Sequence, residues 1–112
     1  MSTRTMVALL AFVVACDREA ANGQRSGERV YHELCASCHG AAGVPPDGAR
    51  ALGAKDLTAP ELHERLTDGA LRRQIRDGSR DGRMPAFGGV LDATKLDALV
   101  LHVRSLSRKE IR

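Results

Sequence analysis

Cys35-Ala36-Ser37-Cys38-His39 decides the reading of this chain, because two thiols three residues apart followed at once by an imidazole form the attachment signature of a c-type haem. On a helix, positions i and i+3 share a face. Both sulfurs can therefore reach the two vinyl groups of one porphyrin, with His39 beneath the iron as its proximal ligand. Gly40, next along, suits the left-handed position that ends a helix. Two other uses of a Cys-x-x-Cys pair fit less well. A thioredoxin-like couple belongs in a βαβ context, and no period-two segment flanks this pair. A structural zinc site takes four ligands, and there is no second cysteine pair.

Outward from the motif, the composition agrees. With 112 residues and 3% aromatics, the chain has room for one domain and few large groups to fill it. Small domains often need a staple, and a covalently fixed porphyrin would add both apolar area and a cross-link. The formal charge of +3 says little about partners. Loss of residues 1–15 would remove Arg4 and no acid, leaving +2, and two haem propionates would bring the total to about neutral. Nothing points to nucleic acid. Arg72, Arg73, Arg76, Arg80 and Arg83 crowd the approach to Met84, either as a solvated face or as a rim that steers acidic partners.

Residues 1–15 read as a secretory signal, with Arg4 ahead of an apolar run from Met6 to Ala15. That run is about half the ~20 residues needed to span a bilayer. Val13-Val14-Ala15-Cys16 resembles the bacterial lipobox, which would make Cys16 the lipidated first residue of the mature chain and explain the third cysteine. Asp17 resembles an inner-membrane retention signal. Residues 16–26 are expected as a lipidated flexible tether, 27–107 as the domain and 108–112 as a polar tail. The expected location is the periplasmic side of a bacterial membrane, the inner membrane favoured.

Within the domain, Val30, Tyr31, Leu34, Cys35 and Cys38 make one helical stripe, with Ser26 as cap. Leu96, Leu99, Val100, Val103 and Leu106 make another, from Asp92 as N-cap to about Ser107, with Leu91 and Leu96 as a hydrophobic staple. Thr58-Ala59-Pro60-Glu61 reads as a capping box opening a short helix through Leu66. A further helix spans about Asp68–Asp77, ended by Gly78. No β-period segment occurs, so the class is all-α. Residues 40–57 and 78–91 remain as long Gly- and Pro-rich stretches, uncommon unless functional.

Met84 lies in the second stretch and is the one methionine outside the signal. Pro85 disfavours helix at Met84, giving an extended segment able to drape across a porphyrin, and a thioether sulfur favours ferrous iron. His63 and His102 are most simply surface or edge residues, and His32 sits on the attachment helix, so the three histidines are the weaker candidates for that position.

The chain resembles a small bacterial class I cytochrome c over roughly residues 27–107. The resemblance rests on Gly27 and Tyr31, Cys35-x-x-Cys38-His39-Gly40, Arg83-Met84-Pro85-Ala86-Phe87 and the closing amphipathic helix. It implies crossed terminal helices around one haem c, held covalently through Cys35 and Cys38 and ligated by His39 and Met84. It implies that a proline carbonyl holds the His39 ring, a role for Pro45 or Pro46, although the loop lacks the family's commoner Gly-Pro-x-Leu order. It also implies that Leu52 packs on the haem edge. With both axial positions filled, the expected activity is one-electron transfer to partners such as membrane oxidases, reductases or dehydrogenases, as a monomer or a subunit of a complex. The rivals are a haem enzyme or gas-binding sensor with an open iron.

Overall fold

The first helix, α1, occupies residues 22–34 in a computed structural model that describes residues 22–108. It starts earlier than the sequence pattern suggested. Residues 22–26, expected in the tether, are helical, and Ser26 lies inside the helix. Once packing has secured the turns around Tyr31, each further residue adds a hydrogen bond without a new nucleation cost, and no proline stands in the way. The expected signal, Cys16 and most of the tether fall outside the described residues. None of the described helices is long and apolar enough to cross a membrane.

A break at Cys35 separates α1 from α2 (Ala36–His39). The Cys35 N–H still bonds the Tyr31 carbonyl at 2.8 Å and the His39 N–H the Cys35 carbonyl at 2.9 Å, so the attachment motif rides on one nearly continuous helical rod. Then come α3 (Asp47–Ala51), α4 (Pro60–Arg65), α5 (Asp68–Asp77) and α6 (Ala93–Ser105), with no strand among the described residues. Helix α3 falls inside a stretch read from sequence as wholly irregular.

The caps show which signals carried. Asp92 accepts from the Lys95 N–H at 2.9 Å and opens α6, and Thr67 does the same for α5 through Ala70 at 3.1 Å. The expected capping box at Thr58 does not form. Ala59 is the N-cap of α4 and Pro60 takes the first turn, while the Thr58 hydroxyl donates to Asp56 Oδ1 at 2.6 Å. The helix starts one residue later than the box requires, with Ala59 rather than Thr58 at the N-cap, so Thr58 is out of register for it.

Helices α1 and α6 cross in atomic contact at Gly27, where a Cβ would collide with the Ala98 carbonyl. Tyr31 and Leu99 beside it are fully buried. Val30, Leu96, Val100 and Val103 continue this core, and Leu71 and Ile75 bring α5 against it. Each such side chain contributes about 1.5–3 kcal/mol of burial.

Candidate haem site

The Tyr31 hydroxyl donates to the Gly40 carbonyl at 2.6 Å, tying the end of α2 to the core. Gly40 has φ +83, and a Cβ there would run into the Val44 carbonyl, so the chain needs a glycine to turn away beneath His39. Burial, with some help from Cys35, pushes the Tyr31 phenol up to about 12. It stays a hydrogen-bond donor throughout the physiological range.

Cys35 is half-buried and Cys38 exposed, both as free thiols. Burial, and then the neighbouring Cys38, raises the Cys35 thiol to about 11. A dithiol redox couple works by a depressed pKa, so this environment disfavours the thioredoxin-like reading. The zinc reading is disfavoured too, because no group of three or more His, Cys, Asp or Glu among the described residues could hold a metal ion.

His39 Nδ1 lies 3.0 Å from the Lys55 carbonyl. A carbonyl only accepts, so Nδ1 carries the proton and Nε2 keeps a lone pair for a metal, the usual outer-shell arrangement of a ligating imidazole. This corrects the expectation of Pro45 or Pro46. Pro45 is buried, and the exposed Pro46 spends its carbonyl on the Arg50 N–H in the first turn of α3, at 2.9 Å. Because α3 and its turn consume residues 47–53, the chain comes back past His39 at Ala54-Lys55-Asp56-Leu57, where Lys55 stands in the place of the proline of Gly-Pro-x-Leu. The segment is pinned by the Leu57 N–H on the Gly43 carbonyl at 2.8 Å and by the Arg108 N–H on the Thr58 carbonyl at 2.9 Å.

Met84 is half-buried against the same core cluster that Cys35 borders. Its loop is clipped to the end of α5. Gly78 has φ +72 and its Cα approaches the Met84 and Pro85 backbone so closely that no side chain fits, and the Phe87 N–H reaches the Ile75 carbonyl at 3.1 Å. Arg83 Nη1 donates to the Leu52 carbonyl at 3.3 Å, joining the Met84 loop to the first loop across 31 residues of sequence. Leu52 itself is 62% exposed, and Leu34, Val44 and Val90 are exposed apolar side chains as well.

These features fit a porphyrin: paired thiols, an imidazole with its far nitrogen available, a soft sulfur and apolar side chains that the protein alone leaves in water. Of the other histidines, His63 has Nε2 on the Leu57 carbonyl at 2.7 Å and Nδ1 facing the Arg104 guanidinium at 3.2 Å. His32 pairs with Glu28, and His102 packs on Tyr31. The arginine run is partly self-neutralised, Arg72 on Asp97, Arg76 on Asp77 and Arg83 on Asp81.

Fold and donor set together define a small c-type cytochrome domain. The chain belongs to the cytochrome c family, since the family model described as cytochrome c oxidase, cbb3-type, subunit III matches residues 22–103. It is similar to cytochrome c6 of Leptolyngbya boryana, 32% identical over 84 residues that cover 75% of this chain and 93% of that protein. It is 36% identical over 80 residues to the cbb3-type cytochrome c oxidase subunit FixP of Bradyrhizobium diazoefficiens, covering 71% of this chain but 26% of FixP. It is 32% identical to a dihydro-heme d1 dehydrogenase of Pseudomonas aeruginosa, covering 79% of this chain and 16% of that protein. The chain thus spans about a quarter or less of these two longer relatives. The solved structure of the KustC0563 c-type cytochrome superposes with a TM-score of 0.69 at 30% identity, covering 73% of this chain and 98% of that one. The all-α class I cytochrome fold expected from the sequence is the one found.

Proposed function

We propose that the protein is a one-electron carrier holding a single haem through Cys35 and Cys38, with the iron between His39 and Met84. When bound, the haem supplies an iron that cycles between ferric and ferrous states. The observation that supports this reading is the His39 ring, whose Nδ1 is committed to the Lys55 carbonyl, which leaves the Nε2 lone pair available to a metal. Met84, on a loop tied at both ends to α5, offers the second ligand. His63 lends no support to the enzyme or sensor alternative, because both its ring nitrogens are already engaged.

Membrane tethering through a lipid on Cys16, on the periplasmic side with the inner membrane favoured, completes the proposal. A tether would raise the carrier's effective concentration near membrane oxidases, reductases or dehydrogenases. The similarity to FixP favours a second reading in which the same domain serves as a haem-bearing part of an oxidase complex. Copurification with a large partner would distinguish it from a free carrier.

The deciding experiment is the visible spectrum of the oxidised and reduced protein, produced with a periplasmic haem-attachment system. A low-spin c-type spectrum with the far-red methionine-to-ferric band is expected. Replacing Met84 with Ala should abolish that band and lower the potential. A high-spin spectrum in the unaltered protein that shifts on adding carbon monoxide would overturn the ligand assignment.

A further inference from the structure

Met84 is gripped by its backbone as well as by its side chain. Its N–H donates to Ser79 Oγ at 2.9 Å, and its carbonyl accepts from the Ser79 N–H at 3.0 Å. One residue thus takes both polar groups of the Met84 peptide, five positions away in sequence. The serine hydroxyl can do this only if its own proton points elsewhere, and it does: Ser79 Oγ donates to Asp81 Oδ1 at 2.7 Å. The same carboxylate oxygen accepts the Arg83 N–H at 3.0 Å. Asp81 therefore sets the rotamer and proton direction of Ser79 and also fixes the residue just before Met84. Gln74 reaches the loop from α5, its Nε2 lying 3.1 Å from the Gly78 carbonyl and 3.8 Å from Met84 Sδ.

A carboxylate-oriented hydroxyl closing a six-residue loop is more than the loop needs to turn, since Gly78 and Gly82 already supply positive φ. What it adds is a fixed direction for the Met84 Cα–Cβ bond. We propose that Ser79, oriented by Asp81, is a positioning residue for the Met84 sulfur, holding it where it outcompetes external ligands for the iron. This rests on the His39/Met84 reading above and deepens it. Thioether is a weak, soft donor to ferric iron, so its hold depends on being presented already in place, and loosening the backbone lowers its effective concentration at the metal.

The test is imidazole binding to the oxidised holoprotein, followed through the far-red methionine band, in the unaltered protein and in Ser79→Ala, Ser79→Thr and Asp81→Ala variants. Ser79→Ala leaves the Met84 N–H without its partner. Imidazole should then bind about fivefold to tenfold more tightly, matching the loss of a hydrogen bond of about 1 kcal/mol. Ser79→Thr keeps the hydroxyl and should restore the parent affinity. Asp81→Ala changes only an exposed side chain, so it should fold, and it should give a twofold to threefold tightening that tests the idea even where Ser79→Ala fails to mature. If Ser79→Ala and Asp81→Ala both bind imidazole as the parent does, with the band intact and only the urea midpoint lowered, Ser79 is structural and the proposal is overturned while Met84 ligation stands. If the unaltered protein lacks the far-red band, the ligand reading itself fails and takes the proposal with it.

Discussion

The crossing of α1 and α6 and the two long loops are stabilised in different ways. At the crossing, a glycine with no room for a methyl group and two fully buried side chains leave nothing to be completed. On the loop side, Leu52, Val44 and Val90 stand in water while Leu57 and Leu91 join the core, and individual hydrogen bonds such as Arg83 to Leu52 and His39 to Lys55 supply further order. The first region is specified by packing, which a chain can achieve alone. The second combines a few buried side chains with polar ties and leaves several apolar side chains exposed.

The most drastic way to break this contrast is to remove the attachment. A Cys35→Ala/Cys38→Ala double variant should carry no haem through denaturation. Amide exchange in residues 40–59 and 78–91 should rise toward unprotected rates while the α1–α6 crossing keeps its protection. Uniform loss of protection in both regions would show that the crossing also depends on the cofactor. Gly27→Ala attacks the other region. The new methyl group meets the Ala98 carbonyl and His102 Cβ, and a loss of about 3 kcal/mol in urea unfolding is expected. Tyr31→Phe removes only the bond to the Gly40 carbonyl and should cost about 1–2 kcal/mol, with the larger local effect on exchange at the end of α2.

Acid should separate the two regions more gently. His102 is held below its ordinary value of 6.5, chiefly by burial, with His32 adding to the effect and Glu28 opposing it. The unfolded chain therefore takes up a proton before the folded one does, and stability falls as pH drops through about 6.5. Asp56 is held below its ordinary 3.8, first by the Thr58 hydroxyl and also by the Thr58 N–H, Arg108 and Arg50, against a burial effect of opposite sign. Its contribution is complete above about pH 4 and is lost as pH falls through the folded value. In stability measured against pH, His102→Gln should flatten the upper step and Asp56→Asn the lower one. A single step unaffected by either substitution would contradict this assignment.

The two regions also differed in how far the sequence disclosed them. The helix stripes, the Asp92 cap and the span of α5 follow from period and capping chemistry, both local. The attachment motif is local as well. The Lys55 carbonyl could not be recognised by residue type, since any residue offers a carbonyl, and the one family marker for it, a proline, is replaced. The signal that could have found it was positional: Ala54-Lys55-Asp56-Leu57 in the register of Gly-Pro-x-Leu. The nearest prolines are Pro45 and Pro46, and nothing in the composition of residues 47–53 announces helix α3. Thr58 followed the same logic. Its spacing to Glu61 suited a cap, but the helix begins one residue later, with Ala59 at the N-cap. For Met84, the Met-Pro pair marked the loop, whereas the grip of Ser79 depends on a fold-back that no periodicity describes.

Arg108 donates its N–H to the Thr58 carbonyl, and its guanidinium lies 3.8 Å from Asp56, an arrangement that sets an order of events during biogenesis. A growing chain exposes its thiols and imidazole some seventy residues before Arg108 arrives. The segment presenting Lys55 to His39 therefore has only its local tie from Leu57 to Gly43 for most of that time, and closing so distant a contact as Arg108 to Thr58 is the slow part of folding. Until then the His39 ring can still swing. Arg108 then shuts the ring into register.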